Sequence, residues 1–160
     1  MKLVKTDFEV VTLEDELRVD GLCRELLFAF YQDRLDAGMD EHEATLLANS
    51  ADYFVRDFVI GARMLNILDE TPGIVRKFAG NWYIVNTLEP LRAELTGHLN
   101  GIREFYHFLR RHEAIDDAFL AQIDKECSDI DYYDLRIDSF WAIEGDGYYE
   151  WAEECSLKGQ

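Results

Sequence analysis

Apolar residues recur at intervals of three and four along most of this chain, the spacing of amphipathic helices. The clearest run is "EPLRAELTGHLNGIREFYHFLRRHE", where Leu91, Leu95, Leu99, Ile102, Phe105, Tyr106 and Leu109 form one stripe. Arg92, Arg103, Arg110 and Arg111 fall elsewhere around it, and the basic last turn suits the helix dipole. Upstream, "TLEDELRVDGLCRELLFAFYQDRLDAG" predicts a helix opened by a capping box of Thr12 and Asp15 and stopped at Gly38. Its predicted face is Leu13, Leu17, Cys23, Leu27, Phe30 and Tyr31. "DEHEATLLANSADYFVRDFVIGA" predicts a second helix from the Asp40 and Glu43 start signal, with Leu47, Ala51, Phe54, Val55 and Phe58 in period. Its end falls near Gly61 or runs on through Met64 and Leu65.

In "TPGIVRKFAGNWYIVN", Thr71 as N-cap and Pro72 at the first helical position predict a third helix with Ile74, Phe78, Trp82 and Val85 on one face. "WYIVN" alone also reads as a strand. Beyond Ile115, short helices are expected over "DDAFLAQIDKEC", capped by Asp116 or Asp117, and over "DIDYYDLRIDSFWAI", with Tyr133, Ile137, Phe140 and Trp141 on one side. "EGDG" is a turn, and "YYEWAEEC" is a last helical piece. The first ten residues alternate loosely and read as extended. The fold class is all-α, with five to seven helices.

Composition narrows this picture. A chain of 160 residues supports one hydrophobic core. Two prolines and ten glycines leave little room for long linkers. We therefore read 1–160 as a single domain, with an N-terminal helix in 1–44, a helical core in 45–115 and an acidic, aromatic helical extension in 116–160. No apolar run reaches the roughly 20 residues of a membrane span, and the N-terminus lacks the apolar centre of a secretory signal. Cys23, Cys127 and Cys155 are widely spaced and odd in number, which suits reduced thiols in a cytoplasm and gives no zinc ribbon.

The net charge of −17 is unevenly spread. Residues 1–50 hold 5 basic and 12 acidic groups, 51–112 hold 8 and 7, and 113–160 hold 3 and 14. So the centre is near neutral and the flanks carry the acid, a field that repels nucleic-acid phosphates.

The stripe Leu99, Ile102, Arg103, Phe105, Tyr106, Phe108 and Leu109, followed by the apolar Ile115, resembles the last helix of the core-binding domain of phage-type integrases (tyrosine recombinases). The likeness covers roughly residues 45–115. It implies a SAM-like four-helix bundle for the core, flanked by the N-terminal helix and the acidic C-terminal extension. It also implies backbone contacts to duplex DNA from Arg103, Arg110 and Arg111, with His98 where that family often has a basic residue. The 45 residues after Ile115 are too few and too acidic for the catalytic domain that follows in such enzymes. "HFLRRH" echoes their H-x-L-R box, but no second arginine site accompanies it, and Tyr132 and Tyr133 sit among acids. It reads as a basic helix end.

Other chemistry is sparse. Glu94 and His98 are spaced i,i+4 and share a helix face, and His42 sits in a helix cap; neither has the His-Glu-x-x-His form of a zinc protease. No phosphate-binding glycine loop occurs, and no catalytic residue, metal or cofactor is expected. The tail interleaves Tyr132, Tyr133, Phe140, Trp141, Tyr148, Tyr149 and Trp151 with acids. Rings packed on the bundle are one reading; aromatic anchors rimmed by charge, with Tyr133, Trp141, Tyr149 and Trp151 meeting a partner, are another. Carboxylates mimicking phosphate are a third.

The expectation is a small, non-enzymatic, cytoplasmic accessory protein that binds a protein partner. DNA binding through Arg103, Arg110 and Arg111, or a metal-assisted enzyme with a helical pocket using Glu94 and His98, are the alternatives. No membrane is involved, and a homodimer is open to a chain with aromatic faces.

Overall fold

Thr12 opens the first long helix, α1 (Leu13–Asp36), through a complete capping box. Its hydroxyl accepts the Asp15 N–H at 3.1 Å, and the Asp15 carboxylate accepts the Thr12 N–H at 3.1 Å. Gly38, at φ 94°, takes the left-handed position just past the helix end. The buried face is Val19, Cys23, Leu26, Leu27 and Phe30. Leu13 and Leu17, expected on that face, are exposed. They lie i,i+4 to each other but out of step with Cys23, so the stripe that meets the bundle begins at Val19. The first ten residues are not wholly extended, because Lys5–Phe8 forms a 3-10 turn that buries Phe8.

The Asp40 carboxylate accepts the N–H groups of His42 and Glu43 and starts α2 (Glu41–Asp52). The helix continues as a ten-residue π-helical stretch, Tyr53–Ala62. It stops there rather than at Leu65, because Met64 turns left-handed at φ 51° and Leu65 N–H folds back to the Val59 carbonyl. The third helix, α3, is composite: Ile74–Lys77, a π turn at Phe78–Trp82, then Tyr83–Val85. The strand reading of "WYIVN" does not hold. The helix also starts two residues later than Thr71 and Pro72 predict, because Gly73 sits at φ 90°. Its orphan N–H groups are met from far along the chain. The Glu126 carboxylate accepts Gly73 N–H and Arg76 N–H, each at 2.9 Å, and the Gln122 amide at 2.8 Å.

Next comes α4 (Arg92–Arg111). Its predicted stripe is buried from Leu95 through Leu109, with Phe108 added against Phe30; Leu91, at the N-cap, is exposed. α4 crosses α2 at Gly101, where a Cβ would lie 2.6 Å from Ser50 Cβ and 2.8 Å from the Leu47 carbonyl oxygen. Three further helices follow: α5 (Asp117–Cys127), capped by Asp116; α6 (Ile130–Trp141); and α7 (Tyr148–Glu153). Arg136 of α6 is buried, donates to the Gly80 carbonyl in the π turn of α3 at 2.9 Å, and lies 3.9 Å over the Trp151 ring. So the acidic extension is tied to α3 by Glu126 from α5 and Arg136 from α6. The structure is a computed structural model that describes residues 1–154; among these it is all-α, with seven helices and no strand. Cys155 lies outside the described residues.

Two substitutions test this architecture. Gly101→Ala gains about 1 kcal/mol of helix propensity. Yet the new methyl meets backbone that cannot move aside, which costs about 1–3 kcal/mol. Urea unfolding is expected to show a net loss of stability. Glu126→Ala leaves two α3 N–H groups without their acceptor, and the midpoint is expected to fall by an amount equivalent to about 2–4 kcal/mol.

Candidate functional site

The basic end of α4 is closely paired with acids. Arg110 Nε donates to Asp117 at 2.6 Å, and Arg111 Nη2 donates to Asp33 at 2.7 Å. The Asp117 hydrogen bond raises the Arg110 pKa further above its ordinary value. Arg103 donates to the Asn100 side chain at 2.9 Å, and the His107 ring meets Asp124 at 2.9 Å. At the other end of α4, Arg92 bridges Asp131 and Asp134. Exposed pairs of this kind add little stability. Their consequence here is electrostatic, since they set a carboxylate beside Arg92, His107, Arg110 and Arg111.

The aromatic tail divides in two. Tyr133 is fully buried and donates its hydroxyl to the Glu126 carbonyl at 2.7 Å. Trp151 is also buried, donating Nε1–H to Ser139 Oγ at 2.9 Å beneath the Arg136 guanidinium. These two rings pack inward and present no surface to a partner. Trp141 and Tyr149 do the opposite, with 61% and 79% of their surface exposed. Each is joined to the buried Trp151 through a neighbouring ring: Phe140 touches both Trp141 and Trp151, and Tyr148 touches both Tyr149 and Trp151. Glu150, Glu153 and Glu154 line a shallow surface with Tyr149.

A second candidate lies at the other end of α4. Tyr53, Tyr83, Leu88, Glu89, Leu91, Glu94 and His98 line most of an open cleft of about 690 Å³, within the roughly 300–1,000 Å³ usual for small-ligand sites. The α2–α4 crossing builds it. Tyr53 stands just beyond Ala51 on α2, His98 stands one turn before Gly101 on α4, and their rings sit 5.1 Å apart. Tyr83 of α3 is buried behind them, its ring 5.5 Å from His98. The Tyr83 hydroxyl donates to Glu94 Oε1 at 2.6 Å and accepts the Leu91 N–H at 3.1 Å. Burial first, and the Glu94 hydrogen bond second, push its pKa well above the phenol value.

Burial also raises Tyr53, with Asp57 and Glu94 adding to the rise against the opposing Thr87 side chain. His98 Nδ1 is buried with no hydrogen-bond partner among the described residues, and burial lowers the ring's pKa. The Glu94 carboxylate engages Tyr83 rather than His98. Among the described residues, no group of three or more His, Cys, Asp or Glu converges as a metal site requires. Burial pushes the Cys23 thiol up to about 12 and raises Cys127 as well, so neither is an activated thiolate.

The sequence reading singled out Glu94 and His98 but missed Tyr53 and Tyr83. Both sit in apolar helical runs that look like plain core, and no local spacing links them. The chain matches no family model, no curated protein and no solved structure. No helix among the described residues is long and apolar enough to cross a membrane.

The depressed His98 pKa has a measurable consequence. The unfolded chain takes up a proton at this residue near pH 6.5, where the folded ring resists it. In that window the unfolded state binds more protons, so stability rises with pH. The contribution is complete above about pH 6.5 and is lost as pH falls below it. A proton NMR titration is expected to place the His98 midpoint below the free-histidine value. The loss of urea resistance on acidification should be smaller in His98→Phe.

Proposed function

We propose that this protein works by association rather than catalysis, and that its exposed aromatic and acidic face docks a basic protein partner. The observation that carries this reading is the projection of Trp141 and Tyr149 into solvent, with Glu150, Glu153 and Glu154 beside Tyr149. Large rings rimmed by like charges supply apolar anchoring area and steer an oppositely charged partner. The chain's net charge of −17 adds long-range attraction for that partner. The same charge, and the acids already paired with Arg110 and Arg111, weigh against a nucleic-acid ligand. The finer architecture belongs to the same reading. A SAM-like four-helix core of the integrase core-binding kind is supported by the burial of the α4 stripe against α2 over residues 45–115.

The test titrates an arginine-rich peptide and a DNA duplex separately into the full chain at about 0.15 M salt, where loose attraction is screened. Peptide binding is expected, weakened roughly tenfold or more by Trp141→Ala with Tyr149→Ala, a loss typical of anchor residues. Duplex binding is expected to be absent. Salt-sensitive duplex binding that disappears in Arg103→Ala with Arg110→Ala would overturn the reading, and so would peptide binding indifferent to Trp141 and Tyr149.

A further inference from the structure

The cleft between α2, α3 and α4 has a consistent chemistry of its own, separate from the aromatic face of the extension. Three rings, Tyr53, Tyr83 and His98, meet at different tilts: 39° between Tyr53 and His98, and 69° between Tyr83 and His98. Leu88 and Leu91 add apolar wall, and Asn86 and Thr87 complete the lining. The charged groups in that lining are the carboxylates Glu89 and Glu94, and no lysine or arginine is among them. Glu94 uses Oε1 for the Tyr83 hydroxyl, while Oε2 takes no hydrogen bond among the described residues. The adjacent π-helical turn adds Asp57, whose charge is felt at Tyr53. Burial favours the uncharged form of the His98 ring, so it offers an aromatic surface instead of a competing cation.

An anion is therefore repelled from this cleft, and a neutral apolar ligand leaves the carboxylates without a charge partner. A strongly hydrated ammonium needs more hydrogen-bond acceptors than ring faces supply. A weakly hydrated organic cation satisfies both parts of the lining, through the electron-rich ring faces and through the carboxylate charge. We propose that the cleft binds an alkylated ammonium group, with Tyr53 and His98 as its aromatic walls and Glu94 as its counter-ion, the buried Tyr83 only holding Glu94 in place.

The tyrosine and carboxylate geometry ties the two roles of Glu94 together. The Tyr83 hydroxyl holds one carboxylate oxygen in place, so the other is positioned before any ligand arrives, which lowers the ordering cost of binding. A Gln at position 94 still has a carbonyl oxygen for Tyr83 and removes only the charge. Glu94→Gln is thus the selective variant, with folding checked by circular dichroism.

The test measures binding to the full-length chain by calorimetry, with choline, its neutral tert-butyl isostere 3,3-dimethyl-1-butanol, and a short peptide bearing one trimethyl-lysine. Saturable binding of choline or of the peptide is expected, and the comparison between them tells a free ligand from a modified side chain. The neutral isostere should bind roughly tenfold more weakly or worse, and Glu94→Gln should cost a similar factor, the scale of one desolvated cation–π or charge contact. Equal binding of the neutral isostere would overturn the proposal. So would unchanged affinity in Glu94→Gln, or no saturable binding of either cation up to about 50 mM, a range that already captures weak, millimolar affinities. Failure here leaves the Trp141 and Tyr149 face untouched, because the two sites share no residue.

Discussion

The crossing of α4 over α2 at Gly101 is the contact on which the rest of this protein depends. A Cβ there would lie within 3.0 Å of Ser50, Leu47 and Ala51, two of those atoms being backbone. The glycine lets the two helices approach to backbone contact, and that depth fixes everything carried on them. On one side of the crossing, Phe105 and Phe108 reach the Phe30 ring of α1. On the other, His98 meets Tyr53 and the cleft opens. A side chain at this position would drive the helices apart and change both ends together.

The acidic extension is attached by buried polar groups rather than by apolar packing alone. Glu126 accepts two backbone N–H groups at the start of α3, and Arg136 donates to the Gly80 carbonyl within its π turn. Each charge meets a set of backbone groups that would otherwise lack partners at a helix end or an irregular turn. The ring of Trp151 then closes over Arg136 as a cation–π partner. Such contacts are directional, so they fix where α5, α6 and α7 sit relative to α3. They also leave Trp141 and Tyr149 pointing outward while their neighbours Phe140 and Tyr148 turn toward Trp151.

The two candidate sites differ in how visible they were beforehand. Glu94 and His98 stand out because an i,i+4 spacing puts them on one helix face. Tyr53 and Tyr83 do not, since each is one aromatic among others in an apolar helical run and they join Glu94 only through tertiary packing. The tail shows the converse. Seven aromatics among acids advertise an interaction surface, but periodicity does not separate Tyr133 and Trp151, which the core absorbs, from Trp141 and Tyr149, which it leaves out. In these short helices a ring's fate is settled by the neighbour it meets. Arg110 and Arg111 follow the same rule, because the acids paired with them come from α5 and α1, the latter 78 residues from Arg111.

By itself the sequence determined the helical class, the stripe of α4, the capping box at Thr12 and the cap at Asp40, and narrowed the α5 cap to Asp116 or Asp117. These rest on spacings of three and four residues and on side chains bonding their own helix. Only the tertiary structure decided the late start of α3, its π turn, and the exposure of Leu13 and Leu17. It also decided which carboxylate meets which cation, and the assembly of three rings beside Glu94. Those features come from groups far apart in the chain, and their geometry is set where helices cross, at Gly101 above all.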